Sequence, residues 1–336
     1  MTLLLALDFG GTKQAAAIAN AGSREWLGYE RALSPRNANA NTDLEIMRSL
    51  IHSLLQGVKP AAIGVSFGGP VDAKTGKVRL SHHVPGWENI PLRDLLAEEF
   101  GVPTRVDNDA NVAALGEHRF GAGQGYDSLF YITISTGVGG GWILNGKPWQ
   151  GAEGMAGEIG HMVVDPSGPL CLCGKRGCVE RLTSGPYMVQ DAREVLENEP
   201  QRLPVSGTFQ DKEHKQRGEI LRGLVEGNLE LITGKVVSEA AAAGDDLAGE
   251  LLSRGGWALG IGIGNVANLI NPQRFVLGGS VTKAGKVWWD VVRKVARETA
   301  LPEVNFEIVP AVLGDDAPLW GAVALSLDAF MTQPQT

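Results

Sequence analysis

Short apolar runs that end in glycine recur along the chain. Residues 3–7 are an unbroken apolar run, which predicts a buried strand. Asp8-Phe9-Gly10-Gly11-Thr12-Lys13 reads as the tight turn behind it, and residues 15–19 as a returning strand of small residues. The same grammar appears again further on: residues 129–135 are an apolar strand, 136–141 a turn of threonine and glycine (Thr136, Gly137, Gly139), and 142–144 a second returning strand. Residues 61–67 predict a strand running into Gly68-Gly69-Pro70, and residues 274–277 one running into Gly278-Gly279-Ser280. Residues 104–107 predict a short strand that delivers Asn108-Asp109-Ala110-Asn111 to a loop before a helix over 112–120. Apolar positions at helical spacing predict further helices over 231–254, 257–270, 286–299 and 320–330.

Two strand–turn–strand units in one chain predict an α/β protein of two related halves. The turns are not P-loops, which need Gly-x4-Gly-Lys-Ser/Thr opening a helix, a string that does not occur. Gly260, Gly262 and Gly264 imitate a dinucleotide fingerprint but follow no strand, so close helix packing is the better account. A glycine turn beside a hydroxyl can hold phosphate on backbone N–H groups, although an ordinary hairpin gives Gly-Gly-Thr equally well. Asp8, at the strand end, is a candidate for Mg²⁺. An Asn or Asp before a helix is often only its N-cap. The polar run at 107–111 exceeds what one cap needs, and Asp107 and Asp109 stay equal candidates for a catalytic carboxylate. Residues 197–220 are polar and broken by proline, as a solvated connection would be.

Composition narrows the class. The 336 residues suffice for two domains, and 43% are hydrophobic, which excludes disorder as the default. A formal charge of −8 argues against general nucleic-acid binding. The apolar start is short, lacks a basic flank and is no signal peptide, and no apolar run reaches membrane-spanning length. A cytoplasmic protein is expected.

The three cysteines supply the most specific chemistry. All lie within 171–178, in Cys171-Leu-Cys173-Gly-Lys-Arg-Gly-Cys178-Val-Glu180, and Gly-Glu158-Ile-Gly-His161 precedes them. Three clustered cysteines are no disulfide framework. With His161 they form a four-ligand set suited to tetrahedral zinc, which leaves no open position and so braces the loop 157–184 rather than performing chemistry.

These pieces resemble the ROK family of sugar kinases and repressors, within the actin–hexokinase superfamily, from Asp8 to about Leu327. The cysteine segment is the most specific match, supported by Asp8-Phe9-Gly10-Gly11-Thr12 and Asn108-Asp109-Ala110-Asn111; the glucokinase-type kinases are the most similar members. The resemblance implies two α/β domains of the actin-like ATPase, or ribonuclease H-like, fold around a deep cleft. The expected division is 1–117 with 305–336 against 118–304. It further implies an ATP site formed by Asp8, Gly10, Gly11, Thr12, Lys13, Thr136, Gly137 and Gly139, with Gly278 and Gly279 on the adenosine. Gly69, Asn108, Asp109, Glu158, His161 and Glu180 would bind a hexose, and Asp109, not Asp107, would be the general base.

The implied reaction moves the γ-phosphate of ATP, with Mg²⁺, to a sugar hydroxyl, most simply the 6-hydroxyl of glucose. An N-acetylhexosamine or fructose is the alternative, and a homodimer or homotetramer is expected. The sequence departs from the family pattern at Gly68-Gly69-Pro70 and at Ser81-His82-His83, where an asparagine is common. The family's repressors carry a helix-turn-helix before the first glycine turn. Only seven residues precede Asp8 here, so a kinase is expected rather than a sugar-responsive regulator.

Overall fold

The computed structural model describes residues 2–81, 83–197 and 217–332, and most of the polar stretch 197–220 lies outside them. The chain forms two compact units. One comprises Met1–Tyr131, Gly141–Gly157 and Ala311–Thr336, the other Ile132–Gly140 and Glu158–Pro310.

The first unit opens with an antiparallel meander, β1 (Leu3–Phe9), β2 (Lys13–Asn20) and β3 (Trp26–Leu33). Helix α1 (Ala40–Leu55) follows, capped by the Asn39 side chain on the Thr42 N–H. Strand β4 (Ala62–Phe67) pairs parallel to β1. After the small hairpin β5 (Val71–Asp72) and β6 (Lys77–Val78) and helix α2 (Leu92–Phe100), strand β7 (Thr104–Asn108) pairs parallel to β4. The sheet order is β3-β2-β1-β4-β7. Helix α3 (Asp109–Phe120) leaves directly from β7.

A second sheet joins β8 (Leu129–Ile134), β9 (Val138–Leu144), β10 (Lys147–Trp149), β11 (Arg274–Gly278) and β12 (Glu307–Pro310) in the order β10-β9-β8-β11-β12. Both sheets therefore run third, second, first, fourth, fifth, the repetition that the two glycine hairpins predict. The helices of the second unit are α4 (Val179–Thr183), α5 (Gly185–Glu197), α6 (Glu219–Leu224), α7 (Gly234–Ala242), α8 (Asp246–Ile270) and α9 (Lys286–Thr299). Helix α10 (Ala317–Met331) closes the chain in the first unit.

The first-unit sheet is covered on both faces, which explains its uninterrupted apolar strands. Met47 and Ile51 of α1 and Leu92 and Leu96 of α2 pack with Leu5, Leu7, Phe9, Ile63, Val65 and Phe67. On the other side α10 comes so close that a Cβ at Gly64 would stand 1.8 Å from the Ala322 carbonyl oxygen. No helix of the described residues is long and apolar enough to cross a membrane.

Several boundaries differ from the sequence expectations. Gly139, Gly140 and Gly141 belong to β9, and the turn is only Ser135, Thr136 and Gly137. A Cβ at Gly141 would meet the Ala110 carbonyl oxygen at 2.4 Å, so close approach within a strand, not a turn, requires this glycine. Asp109, Ala110 and Asn111 are the first turn of α3 rather than a loop. Helix α8 runs unbroken through residues 254–257, capped at its start by Asp245, whereas 231–245 divides into a short turn and α7. The glycines of α8 do serve helix packing. Gly256, Gly260 and Gly264 share one face, where added Cβ atoms would lie 3.0, 2.7 and 2.5 Å from Trp288 O, Val295 Cβ and Thr299 Cβ of α9.

Candidate active site

In the first unit, β1, β4 and β7 are in register so that Asp8, Ser66 and Asp107 form one row across three parallel strands. Asp8 lies inside β1, not in the turn after it, and its Oδ1 accepts from the Ser66 hydroxyl at 2.8 Å. Burial pushes the Asp8 carboxyl up, against the lowering effects of the Ser66 hydrogen bond and the Lys13 charge.

Burial raises the carboxyls of both Asp107 and Asp109, but their hydrogen bonds differ. The Asp107 Oδ1 accepts from the Asn108 N–H at 2.7 Å and from Asn111 Nδ2 at 3.1 Å, and its Oδ2 accepts from Gln150 Nε2 at 2.6 Å. Both of its oxygens are thus committed to the protein. Asp109 opens α3, and its Oδ1 accepts from the Ala110 N–H at 2.8 Å and from Asn108 Nδ2 at 2.9 Å. Its Oδ2 accepts no hydrogen bond among the described residues. Burial first, and the Asp8 charge second, raise its carboxyl to about 6. A partly desolvated carboxylate with a free oxygen and a pKa near neutrality has the properties of a general base.

Asn108 is fully engaged. Its Oδ1 caps α3 on the Ala110 and Asn111 N–H groups at 3.0 and 3.4 Å, and its Nδ2 holds the Gly69 carbonyl at 3.1 Å as well as Asp109. The cap explanation therefore accounts for much of this residue, and Gly69 is fixed by it.

The turn between β1 and β2 is held from within. The Gly10 N–H donates to the Lys13 carbonyl at 3.1 Å, while Lys13 already belongs to β2. The N–H groups of Gly11 and Thr12 donate to no protein acceptor among the described residues, and neither do those of Thr136 and Gly137 in the second unit. Such unpaired N–H groups at a glycine turn suit a phosphate.

In the second unit, one ligand atom from each of His161, Cys171, Cys173 and Cys178 lies within 4.8 Å of the others. The His161 Nδ1 is buried and has no hydrogen-bond partner among the described residues, as a ring nitrogen kept for a metal would be. Burial, with the neighbouring sulfurs, pushes the Cys178 thiol up to about 12, so thiolates this close call for a cation. Gly174 and Gly177 have φ of 83° and 63°, and a Cβ at Gly177 would fall 1.6 Å from the Asp165 carbonyl oxygen. The tight wrap of the loop needs both backbone freedom and bare space there. The donor set fits a structural zinc ion.

Helix α4 starts straight after Cys178 and carries Glu180, whose Oε2 accepts from the Val138 N–H at 2.9 Å. His161 ends a 3₁₀ turn after Glu158, which is exposed, and a Cβ at Gly160 would sit 2.2 Å from the Val138 carbonyl oxygen. The turns after β8 and β11 also meet, with Ser135 Oγ and Ser280 Oγ 3.1 Å apart. Gly278 is the buried last residue of β11, and Gly279, at φ 89°, leaves only 2.3 Å between a Cβ and the Ile134 carbonyl oxygen. Within this unit Glu180, Gly137, Gly279 and the metal-binding cluster therefore belong to one connected set of turns.

Sequence reasoning missed Ser66, Gln14 and Gln150. Ser66 is the lone polar residue of an otherwise apolar strand beside a glycine turn, which is a readable signal, and Gln14 precedes the small-residue run of β2; Gln150 is distant in sequence and carries none.

A glucokinase of Halalkalibacterium halodurans is 38% identical over 269 residues, 78% of this chain and 76% of that protein. A crystal structure of a ROK family glucokinase from Streptomyces griseus, in complex with glucose and AMPPNP, is 33% identical with a TM-score of 0.78, covering 97% of this chain and 99% of that one. A xylose repressor of Bacillus spizizenii is 28% identical over 294 residues, 85% of this chain and 67% of that protein. The Streptomyces griseus structure shares this mixed α/β architecture. The ROK family model itself matches residues 4–329, and the chain belongs to the ROK family.

Proposed function

We propose that this protein is an ATP-dependent hexose kinase that phosphorylates glucose at the 6-hydroxyl, with an N-acetylhexosamine or fructose as alternative acceptors. The observation that carries the proposal is Asp109: a helix-start carboxylate with one free oxygen, raised to about 6, in a chain similar to glucokinases over most of its length. Its Oδ2 takes the proton of the sugar hydroxyl as that oxygen bonds to the γ-phosphorus, the bond to ADP breaks, and ADP leaves. Such a reaction depends mostly on positioning and charge stabilisation.

Backbone N–H groups of Gly11, Thr12, Thr136 and Gly137 hold the phosphates, with Asp8, Gly10, Lys13 and Gly139 around them and Gly278 and Gly279 against the adenosine. Mg²⁺ accompanying ATP offsets the phosphate charge. Gly69, Asn108, Glu158, His161 and Glu180 orient the sugar, Asn108 through its hold on the Gly69 carbonyl and on Asp109. Zinc on His161, Cys171, Cys173 and Cys178 supplies rigidity to the loop that carries Glu158 and Glu180. A cytoplasmic homodimer or homotetramer belongs to the same proposal.

The test is a coupled ADP-release assay over a panel of hexoses. Glucose is expected to give the highest kcat/KM. Sugar binding by calorimetry without ADP release from any hexose would instead favour a sugar-responsive regulator, the kind of protein the xylose repressor is.

A further inference from the structure

The turn Gly10–Thr12 and the segment 83–87 meet in two places within the first unit. At the surface, the His83 side chain lies over Gly11: a Cβ there would be 2.9 Å from His83 Cβ and 3.1 Å from its Cδ2. The second connection is largely buried. Trp87 Nε1 donates to Asp43 Oδ2 at 3.2 Å, and the Ser34 hydroxyl donates to Asp43 Oδ1 at 2.9 Å. Gln14 Nε2 then donates one hydrogen to Ser34 Oγ at 3.0 Å and the other to the Gly10 carbonyl at 3.1 Å. Three side chains thus connect the loop tryptophan to the backbone of the turn.

Trp87 and Asp43 are each 1% exposed and Gln14 is not exposed at all, while Ser34 between Asp43 and Gln14 is partly exposed, so water has limited access to the chain and reaches it at the serine. Gln14 Oε1 is buried without a partner among the described residues. An apolar side chain would fill that space without the desolvation cost, so packing alone does not account for an amide here. What the amide supplies is a hold on the Gly10 carbonyl. With that carbonyl bonded by Gln14 and the Gly10 N–H bonded by Lys13, the turn has one shape, and the Gly11 and Thr12 N–H groups are left for a ligand.

We propose that Gln14, Ser34, Asp43 and Trp87 are positioning residues for the nucleotide phosphates, a largely buried relay that fixes the turn Gly10–Thr12 and ties it to the His83 loop. The inference rests on the phosphate-binding reading of that turn.

The test compares Gln14→Met, Ser34→Ala and Trp87→Phe with the unaltered enzyme for ATP KM, glucose KM, kcat and Tm. Each variant is expected to raise the ATP KM by about fivefold, the equivalent of one net hydrogen bond, with glucose KM and kcat changed by less than about twofold. The Gln14→Met/Trp87→Phe double variant is expected to be no worse than the poorer single one, because both act through the same chain. If Trp87→Phe does not fold, Ser34→Ala takes its place in the cycle. A lower Tm with unchanged ATP KM, or fully additive effects, overturns the relay. If the unaltered protein transfers no phosphoryl group, the kinase proposal fails separately, and ATP calorimetry on it and on Gln14→Met still decides. Equal ATP affinity in the two, or none in either, overturns the inference.

Discussion

The Glu180 carboxylate accepts the Val138 N–H at 2.9 Å, so the helix that begins at the third cysteine is attached directly to the turn after β8. A Cβ on Gly137 would stand 2.8 Å from the same carboxylate oxygen. A change at Gly137 therefore cannot act on the nucleotide alone. Gly137→Ala is expected to displace Glu180 and to weaken ATP and glucose together, each by about tenfold or more, as calorimetry with each ligand would read. Weakening of ATP alone would detach Glu180 from sugar binding.

Metal content is the next expectation. Protein purified without added metal is expected to contain close to one zinc per chain by elemental analysis. Cys173→Ser removes one of four ligands and is expected to lose the metal, lower the Tm and weaken glucose binding together, because metal binding is coupled to folding of the loop. Zinc-free protein with full sugar affinity would contradict the bracing role.

The raised carboxyl of Asp109 gives a pH dependence in two directions. As a base it must be ionised, so kcat/KM is expected to fall as pH drops below about 6. Stability runs the other way. With a folded pKa near 6 and a model value of 3.8, the folded protein holds more protons than the unfolded chain between those values. The contribution of Asp109 is then unfavourable above the folded pKa and disappears as pH falls toward the unfolded one. Asp109→Asn is accordingly expected to melt higher than the unaltered protein at pH 7 and at about the same temperature near pH 4. A lower Tm at pH 7 would mean that the carboxylate is stabilised, not strained.

Much of this site was legible because its chemistry sits at strand ends. The apolar runs located β1, β4, β8 and β11, and the cysteine spacing located a four-residue cluster whose ligand atoms the fold brings together. What escaped depends on partners remote in sequence. Gly139 to Gly141 look like a turn until Ala110 is seen against Gly141. The hold of Asn108 on Gly69 and Asp109 shows only in its four hydrogen bonds, and Asp107 looks equivalent to Asp109 until Gln150 occupies its second oxygen. Strand β3 and helix α1 have mixed patterns, with alternating half-buried positions in the strand, and no motif marked them.

Asp107 is expected to act as a fastener. An asparagine there cannot accept all three hydrogen bonds, so Asp107→Asn should lower the Tm by several degrees, on the order of 1–3 kcal/mol for one unsatisfied buried group, while turnover stays within about tenfold. Full loss of turnover at unchanged Tm would make Asp107 the reacting carboxylate.

The most direct measurement is the kcat of Asp109→Asn in the coupled ADP-release assay at saturating ATP and glucose. Asparagine preserves the shape and the hydrogen bond from Ala110 but cannot take a proton, and general-base help is worth about 10²–10⁴-fold. The account predicts a fall of at least about a hundredfold with glucose affinity and zinc content retained. Turnover within about tenfold of the unaltered enzyme would contradict it.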